Sequence, residues 1–341
     1  SVLMPVRNPR SDDQGTKASK RNRRLWSIIV LVLVVAAMAW YLNSQRQMLS
    51  AFGQVSLLAI GYLVVTRLLF LGVNGLFLRE FASKFGVRLT LKEWFGLSVV
   101  TTMGNYITPF SGGMIARAAY LKQRHQLPYA QFVTLLASNY LINFGVIGAV
   151  GALILLTFGE AIRFYWQVFV FFMLVFISIV VLILFPATRL PWKNRVAKAV
   201  NVSFEGWLLV KNDPILLARL VACTLVNILL TGLSLWIAYD ALGSRISFRS
   251  ALLIGLLTSF SLLVRITPGN FGIQEAVVSL ASGLLGIGMG QGLLAALLIR
   301  GATMIPAFTL GPVFSFLLTR KLAIPPGAES SISDGERPKT V

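Results

Sequence analysis

The chain has 341 residues, of which 56% are hydrophobic and 13% charged, and its formal net charge is +19. Ordinary globular domains carry about 25% charged residues, so this composition excludes a soluble protein and predicts a polytopic one whose basic residues face the anionic inner leaflet of a membrane, not nucleic acid. The chain has one cysteine, Cys223, which excludes an intramolecular disulfide, and one histidine, His125, which argues against a histidine-rich metal site. We predict neither a metal nor a cofactor.

The N-terminal part combines a basic tail with an apolar run. Residues 1–24 contain seven Lys and Arg residues and are predicted to stay in the cytoplasm. The run 25–42 is longer than the roughly 7–15 apolar residues of a secretory signal core and lacks a clear small-residue cleavage site. We predict that it is the first transmembrane helix of a single membrane domain over residues 25–320, followed by a disordered cytoplasmic tail at 321–341.

Seven further apolar runs follow, most of them close to the roughly 20 residues that cross a bilayer as a helix. They lie at 55–78, 94–121, 129–158, 164–185, 215–241, 251–285 and 292–318. Five are predicted to be continuous spans. The runs 94–121 and 251–285 are interrupted.

Both interrupted runs carry a proline and glycines at their centre. The first contains Asn105-Tyr-Ile-Thr-Pro-Phe-Ser-Gly-Gly113 and the second Arg265-Ile-Thr-Pro-Gly-Asn-Phe-Gly272. Proline removes a backbone donor, and glycine and Asn permit unusual dihedrals, so each run is predicted to divide into two half-helices. Such a break at membrane depth is tolerated only in a protein interior or beside a polar cavity, so it marks a candidate site. A kink within an ordinary spanning helix is the alternative.

Basic residues flank the first interrupted run on both sides. They are Arg79, Lys84, Arg88 and Lys92 before it, and Arg117, Lys122, Arg124 and His125 after its break. The positive-inside rule therefore places both ends in the cytoplasm. The run is predicted to form a re-entrant hairpin.

A second basic segment, residues 186–214, follows two further runs. Apolar residues recur in it every four positions, at Trp192, Val196, Val200, Phe204 and Leu208. This periodicity predicts an amphipathic helix along the inner membrane surface. With this segment in the cytoplasm, the order of the runs predicts an all-α polytopic protein of the cytoplasmic membrane. It has about six full transmembrane helices, two re-entrant helical hairpins and both termini in the cytoplasm. Arg245 and Arg249 then lie outside, against the positive-inside rule.

An internal repeat relates the two interrupted runs. Pro109 and Pro268 are 268 − 109 = 159 residues apart, and the same offset aligns Ile107-Thr108-Pro109 with Ile266-Thr267-Pro268 and Gly113 with Gly272. We predict repeat A over about 88–158 and repeat B over about 247–318. Three spans separate the copies, so they should face opposite ways in the membrane, as in alternating-access transporters.

Charged residues within the apolar runs indicate the sign of the ligand. Arg67 lies about 12 residues into its run, roughly 18 Å along a helix, Arg300 lies in the first third of the last run, and Arg117 and Arg265 adjoin the breaks. Charge at this depth usually marks a substrate pathway, although Arg265 could instead reach the membrane surface. Glu275 is the only carboxylate in the two interrupted runs. It could pair with Arg300 or Arg265, or carry a proton.

Each break also precedes the start of a half-helix, where free backbone N–H groups and the helix dipole attract an anion. Together with the buried arginines, these ends suit a phosphate-bearing ligand. The predicted substrate-binding residues are Arg67, Asn105, Pro109, Ser111, Gly112, Gly113, Arg117, Arg265, Pro268, Gly269, Asn270, Gly272, Glu275 and Arg300.

The motifs around the two breaks resemble the paired signatures of the lysylphosphatidylglycerol synthase transmembrane-region family. They are Pro109 to Gly113 with Arg117, and Pro268 to Gly272 with Glu275 and Arg300. That family includes the flippase half of the multiple peptide resistance factor proteins. The resemblance covers about residues 25–320 and implies a flippase for an anionic, aminoacylated or glycosylated phospholipid or a lipid-linked sugar. The chain lacks the soluble transferase domain of full-length members, which implies a stand-alone member that does not synthesise lipid.

Two other classes remain open. A membrane-embedded transferase would usually hold Mg²⁺ with clustered carboxylates, whereas the acids here are scattered, so we do not expect an enzyme. A non-transporting partner or regulator of a lipid synthase or glycosyltransferase would need neither buried arginines nor inverted breaks.

Overall fold

Nine α-helices and no strand make up the part of the chain that the computed structural model describes. The described residues are 53, 55–159, 163–184, 201, 207, 208, 210–264 and 266–323. The helices are α1 (Leu57–Ser83), α2 (Leu91–Ile107), α3 (Gly112–His125), α4 (Tyr129–Leu156), α5 (Trp166–Leu184), α6 (Pro214–Ala241), α7 (Phe248–Ser259), α8 (Ile273–Leu284) and α9 (Met289–Ala323).

Five of these helices are long and apolar enough to cross a membrane, namely α1, α4, α5, α6 and α9. Each coincides with a predicted continuous span to within a few residues at either end. The sixth predicted span, 25–42, and the tail 1–24 lie outside the described residues. The last helix continues to Ala323, so residues 321–323, which were predicted to begin the C-terminal tail, are helical instead.

The outer surface of the bundle is apolar, which only a lipid environment makes stable. The extreme case is α5, where Phe172 is the one buried residue and the side chains of Leu174, Ile177 and Leu182 are about half exposed. This helix packs on α4 at the edge of the bundle. The protein is therefore a multi-pass membrane protein.

Most of the predicted amphipathic segment 186–214 lies outside the described residues. At its end, Trp207 and Val210 are buried in the same apolar cluster as Leu216 and Leu220 of α6, whereas Leu208 is exposed. This end of the segment is therefore anchored on the helix bundle.

Each interrupted run forms two half-helices, as predicted. In the first, a 3₁₀ turn at Pro109–Ser111 separates α2 from α3. In the second, 3₁₀ turns at Phe260–Leu263 and Pro268–Asn270 separate α7 from α8. We call residues 108–111 the first break and residues 267–272 the second break.

At the predicted offset of 159, Thr108 to Ser111 of the first break have the same backbone conformation as Thr267 to Asn270 of the second, whereas Gly112 is already helical and Phe271 is still extended. Thr108 and Thr267 are extended, and a proline follows each of them. The next two positions are left-handed in both copies: φ is 55° at Phe110 and 57° at Ser111, and 58° at Gly269 and 57° at Asn270. Consecutive left-handed residues are rare, and non-glycine residues adopt them only where surrounding contacts enforce them. Both are therefore true breaks and not kinks in continuous helices.

The offset also relates helix ends outside the breaks. α3 ends at His125 and α8 at Leu284, with 125 + 159 = 284. α4 begins at Tyr129 and α9 at Met289, one residue from 129 + 159 = 288. α1 ends at residue 83 and α6 at residue 241, one residue from 83 + 159 = 242. The helices α1 to α4 thus correspond in order to α6 to α9, although α7 has 12 residues against 17 in α2, because a 3₁₀ turn follows it, and α9 has a longer C-terminal end.

The two sets of helices interlock: α1 packs on α6, and α9 packs on α2. A buried hydrogen bond from Ser234 Oγ to Thr66 Oγ1, 3.1 Å long, joins α1 and α6. At the end of this pair, Lys84 Nζ lies 2.9 Å from the Asp213 carboxylate, which caps α6. The Leu216 N–H, and then Lys84, lower the pKa of Asp213 below its ordinary value.

Gly113→Ala should destabilise the first hairpin. A Cβ atom at Gly113 would lie 2.1 Å from the carbonyl oxygen of Thr101, so α2 and α3 would have to separate. The matched control is Gly61→Ala in α1, where no other atom lies within 4 Å of the new methyl group. Alanine is also about 1 kcal/mol more favourable than glycine inside a helix. We expect a lower melting temperature in detergent for Gly113→Ala and an unchanged or higher one for Gly61→Ala. Equal melting temperatures would contradict the close approach.

Candidate functional site

The two breaks lie against each other inside the bundle. Tyr106, in the last turn of α2, covers Gly269 of the second break. A Cβ atom at Gly269 would lie 2.5 Å from Tyr106 Cδ1 and 3.2 Å from Arg300 Nη1. Glycine is therefore required at this position for the contact between the breaks, and its left-handed conformation favours glycine as well.

Arg300 holds the second break in place. Its Nη1 donates to the Gly269 carbonyl at 3.0 Å, and its Nε donates to Glu275 Oε1. The guanidinium also lies 5.0 Å from the ring centroid of Phe271 and 5.5 Å from that of Tyr106, within cation–π range. Only 8% of Arg300 is exposed. Glu275 therefore pairs with Arg300, which is one of the roles that the sequence left open for it.

Glu275 also caps the half-helix that follows the second break. Its Oε2 accepts a hydrogen bond from the Gly272 N–H at 2.7 Å. This carboxylate sits in the first turn of α8, where the helix dipole favours a negative charge. The Gly272 N–H, which we predicted to be open to a ligand, therefore has an internal acceptor.

Arg67, in the middle of α1, is in a different situation. It is 7% exposed, and its guanidinium lies 4.5 Å from the ring centroid of Phe70. Among the described residues, none accepts a hydrogen bond from its Nε or Nη2. A buried cation without an acceptor is strongly unfavourable, so these donors call for an anion or another acceptor from outside the described residues.

A cavity of about 350 Å³ lies beside Arg67, within the size range of small-ligand sites. Its walls come from both breaks and from every described helix except α5. Six of the predicted site residues line it: Arg67, Asn105, Ser111, Arg117, Gly269 and Asn270. Pro109, Gly112, Gly113, Pro268, Gly272, Glu275 and Arg300 shape or support the breaks without lining the cavity. Arg265 lies outside the described residues.

Residues 25–311 match the sequence profile of a protein family that is described as Lysylphosphatidylglycerol synthase TM region. The matched stretch contains both breaks and the whole cavity lining. The chain belongs to this family. The resemblance inferred from the two short signatures is thereby confirmed, and the family description indicates a function related to membrane lipids. A search of curated proteins finds no match.

Sequence analysis missed several polar residues of this chain that line the cavity. They are Asn74, Tyr106, Asn139, Asn143, Asn227, Thr231 and Gln274. Four of them are asparagines inside apolar spans, and a polar side chain at such a position faces the interior of a bundle far more often than lipid. That signal was available in the sequence, but it does not tell which asparagines share a cavity.

A second buried carboxylate, Glu93, lies one residue before the predicted first interrupted run and is 2% exposed. It accepts hydrogen bonds from the Thr90 N–H and the Tyr120 hydroxyl, both at 2.9 Å, and its Oε1 lies 3.2 Å from His125 Nε2. Lys321 Nζ, near the end of α9, lies 3.8 Å from its Oε2. Glu93 thus ties both half-helices of the first hairpin to α9.

The Arg300–Glu275 pair should behave as one structural unit. Removing either partner leaves a buried charge unpaired, which costs about 3–5 kcal/mol, so Glu275→Gln and Arg300→Gln should each lower the melting temperature in detergent. The double variant should be less destabilised than the sum of the two.

The matched control is the exposed pair Arg219–Glu80, whose atoms lie 3.0 Å apart. Arg219→Gln and Glu80→Gln should each change stability by at most about 1 kcal/mol. Additive effects of the two Arg300–Glu275 substitutions would contradict a structural pair.

Proposed function

We propose that the chain moves a phosphate-bearing lipid head group between the leaflets of the cytoplasmic membrane, as a flippase. The observation that carries this proposal is the guanidinium of Arg67, which is buried deep in a span, lacks an acceptor among the described residues and borders a cavity large enough for a head group. Membership of a lipid-related transmembrane family supports it.

The physical requirement for flipping favours such a site. A head group that leaves one leaflet must shed water, and a desolvated phosphate needs fixed donors in exchange. Arg67 supplies two donors, and Arg117, whose Nε donates to Thr101 Oγ1 at 2.8 Å, adds a second positive charge to the cavity wall. Acyl chains need no such site, because they can stay in the surrounding lipid.

The proposed mechanism is alternating access by two inverted repeats. The matching order of the helices and the shared conformation of residues 108–111 and 267–270 at an offset of 159 support a repeat of α1 to α4 in α6 to α9. The basic residues that flank the first hairpin support its entry from the cytoplasm. With 25–42 as a sixth span, the second hairpin then enters from the opposite side, and both termini are cytoplasmic.

Cysteine accessibility tests this topology. In a Cys223→Ser background, Gln123→Cys should react with a membrane-impermeant thiol reagent only after the cells are opened, whereas Thr157→Cys and Met289→Cys should react in intact cells. Both outer positions adjoin helix ends that the proposal places on the same face. Labelling of Thr157→Cys and Met289→Cys from opposite sides would contradict the inverted arrangement.

Arg67→Ala should abolish movement of tail-labelled phosphatidylglycerol across reconstituted vesicles without lowering the melting temperature, because removing Arg67 breaks no described hydrogen bond of its Nε or Nη2 and leaves no charged partner unpaired. Arg67→Lys should restore movement only in part, since lysine keeps the charge but loses the fork of the guanidinium. Arg300 is unsuitable for this test because its removal would leave the buried Glu275 carboxylate without its ion-pair partner.

The matched control is Arg219→Ala, an arginine on α6 that is exposed and paired with Glu80. It should flip lipid at the wild-type rate. Normal movement by Arg67→Ala would rule out this site. A wild-type protein that moves no phospholipid and no lipid-linked sugar would instead favour a non-transporting partner of a lipid synthase or glycosyltransferase.

A further inference from the structure

The orientations of two amide side chains in the cavity wall are determined by their hydrogen bonds. Asn74 Nδ2 donates to the Phe70 carbonyl at 3.0 Å, so Asn74 Oδ1 is the acceptor for Asn227 Nδ2 at 3.4 Å. Asn227 must then present its Oδ1, which is buried and has no donor among the described residues. An amide orientation is assigned from such a network, and here the chain of bonds starts at a backbone carbonyl that can only accept.

The second break provides a further acceptor of the same kind. Asn270 Nδ2 donates to the Ser261 carbonyl at 2.9 Å, which directs Asn270 Oδ1 the other way. That oxygen too is buried and has no donor within the described ranges. The residues that line the cavity therefore carry the unpaired donors of Arg67 and the unpaired, uncharged acceptors of Asn227 and Asn270, and Asn105 Oδ1 is a third acceptor of this kind.

The positive charge of the cavity wall restricts which donor groups of a ligand can hydrogen-bond to these acceptors. Arg67 and Arg117 line it, and no Asp or Glu does so among the described residues. The nearby carboxylate of Glu275 is engaged by Arg300 and by the Gly272 N–H. An ammonium group would therefore face two guanidinium groups without a carboxylate to compensate its desolvation. A hydroxyl group meets no such penalty and donates well to an amide oxygen.

From this arrangement we infer that the cavity selects a phosphate bonded to an uncharged, hydroxyl-rich group, such as glycerol, inositol or a sugar, and rejects a cationic aminoacyl head group. Phosphate accepts from Arg67, and hydroxyls donate to Asn227 and Asn270. This inference deepens the proposed function and rests on the same cavity. It separates this chain from the lysylated lipid in the description of its family.

Binding and movement are to be measured separately on the full chain. Binding is the rise in melting temperature in detergent caused by short-chain lipids, because a ligand that binds only the folded state stabilises it. The probes are dihexanoyl phosphatidylglycerol, phosphatidylinositol and lysylphosphatidylglycerol, and a short polyprenyl-phosphate hexose. Movement is followed in vesicles that contain a trace of tail-labelled phosphatidylglycerol, phosphatidylinositol or lysylphosphatidylglycerol.

We expect the hydroxyl-bearing lipids to bind at least about tenfold more tightly than lysylphosphatidylglycerol, the ratio that 1.4 kcal/mol produces. The stronger of the phosphatidylinositol and polyprenyl-phosphate signals identifies the source of the head group. Equal or tighter binding of lysylphosphatidylglycerol, or no binding of any probe, would overturn the inference. Selective binding without movement of any lipid would uphold it and reject the flippase.

Asn227→Asp tests the acceptor directly, because it keeps the shape of the side chain and adds a carboxylate to the cavity. The affinity ratio of phosphatidylglycerol to lysylphosphatidylglycerol should fall about tenfold. The matched control is Asn212→Asp, an exposed residue before α6, which should keep the wild-type ratio. If Asn227→Asp does not fold, Asn270→Asp makes the same change at a left-handed position that aspartate tolerates. An unchanged ratio in the folded variant would contradict the assigned role of the amide.

Discussion

A helix that is interrupted inside a bilayer leaves backbone N–H and C=O groups that lipid cannot satisfy, and the whole arrangement depends on how this protein meets that constraint. The second break meets it with side chains from its own hairpin and from α9: Arg300 donates to the Gly269 carbonyl, and Glu275 accepts from the Gly272 N–H. The two side chains also neutralise each other. The break is therefore a rigid part of the interior, against which Tyr106 and the first break can pack.

The two buried arginines consequently have different functions despite their similar burial. Arg300 has its donors occupied by a carboxylate and by backbone oxygens, so it stabilises the fold. Arg67 lines the cavity and keeps two donors without an acceptor in the described part of the chain. A charge that is kept desolvated and open opposes folding stability, which is why it indicates a ligand.

The repeat is symmetrical in backbone and asymmetrical in chemistry. Both breaks have the same succession of extended, proline and left-handed positions. At the offset of 159, however, Glu275 and Arg300 correspond to Ala116 and Leu141, and Arg67 corresponds to Val226. The shared backbone preserves two broken hairpins that fit together, whereas Glu275 and Arg300 support only the second hairpin and Arg67 places its charge on one side of the cavity.

Much of the architecture could be predicted from the sequence because it depends on local properties. Hydropathy identified five continuous spans, and a proline with neighbouring glycines identified both breaks, since these features act through the chain segment that carries them. The family followed from the same motifs. Tertiary structure decided which charges are satisfied: Glu275 and Arg300 are 25 residues apart, and Asn74 and Asn227 are 153 apart. Only packing brings such residues together, and only their hydrogen bonds decide which donors and acceptors remain for a ligand.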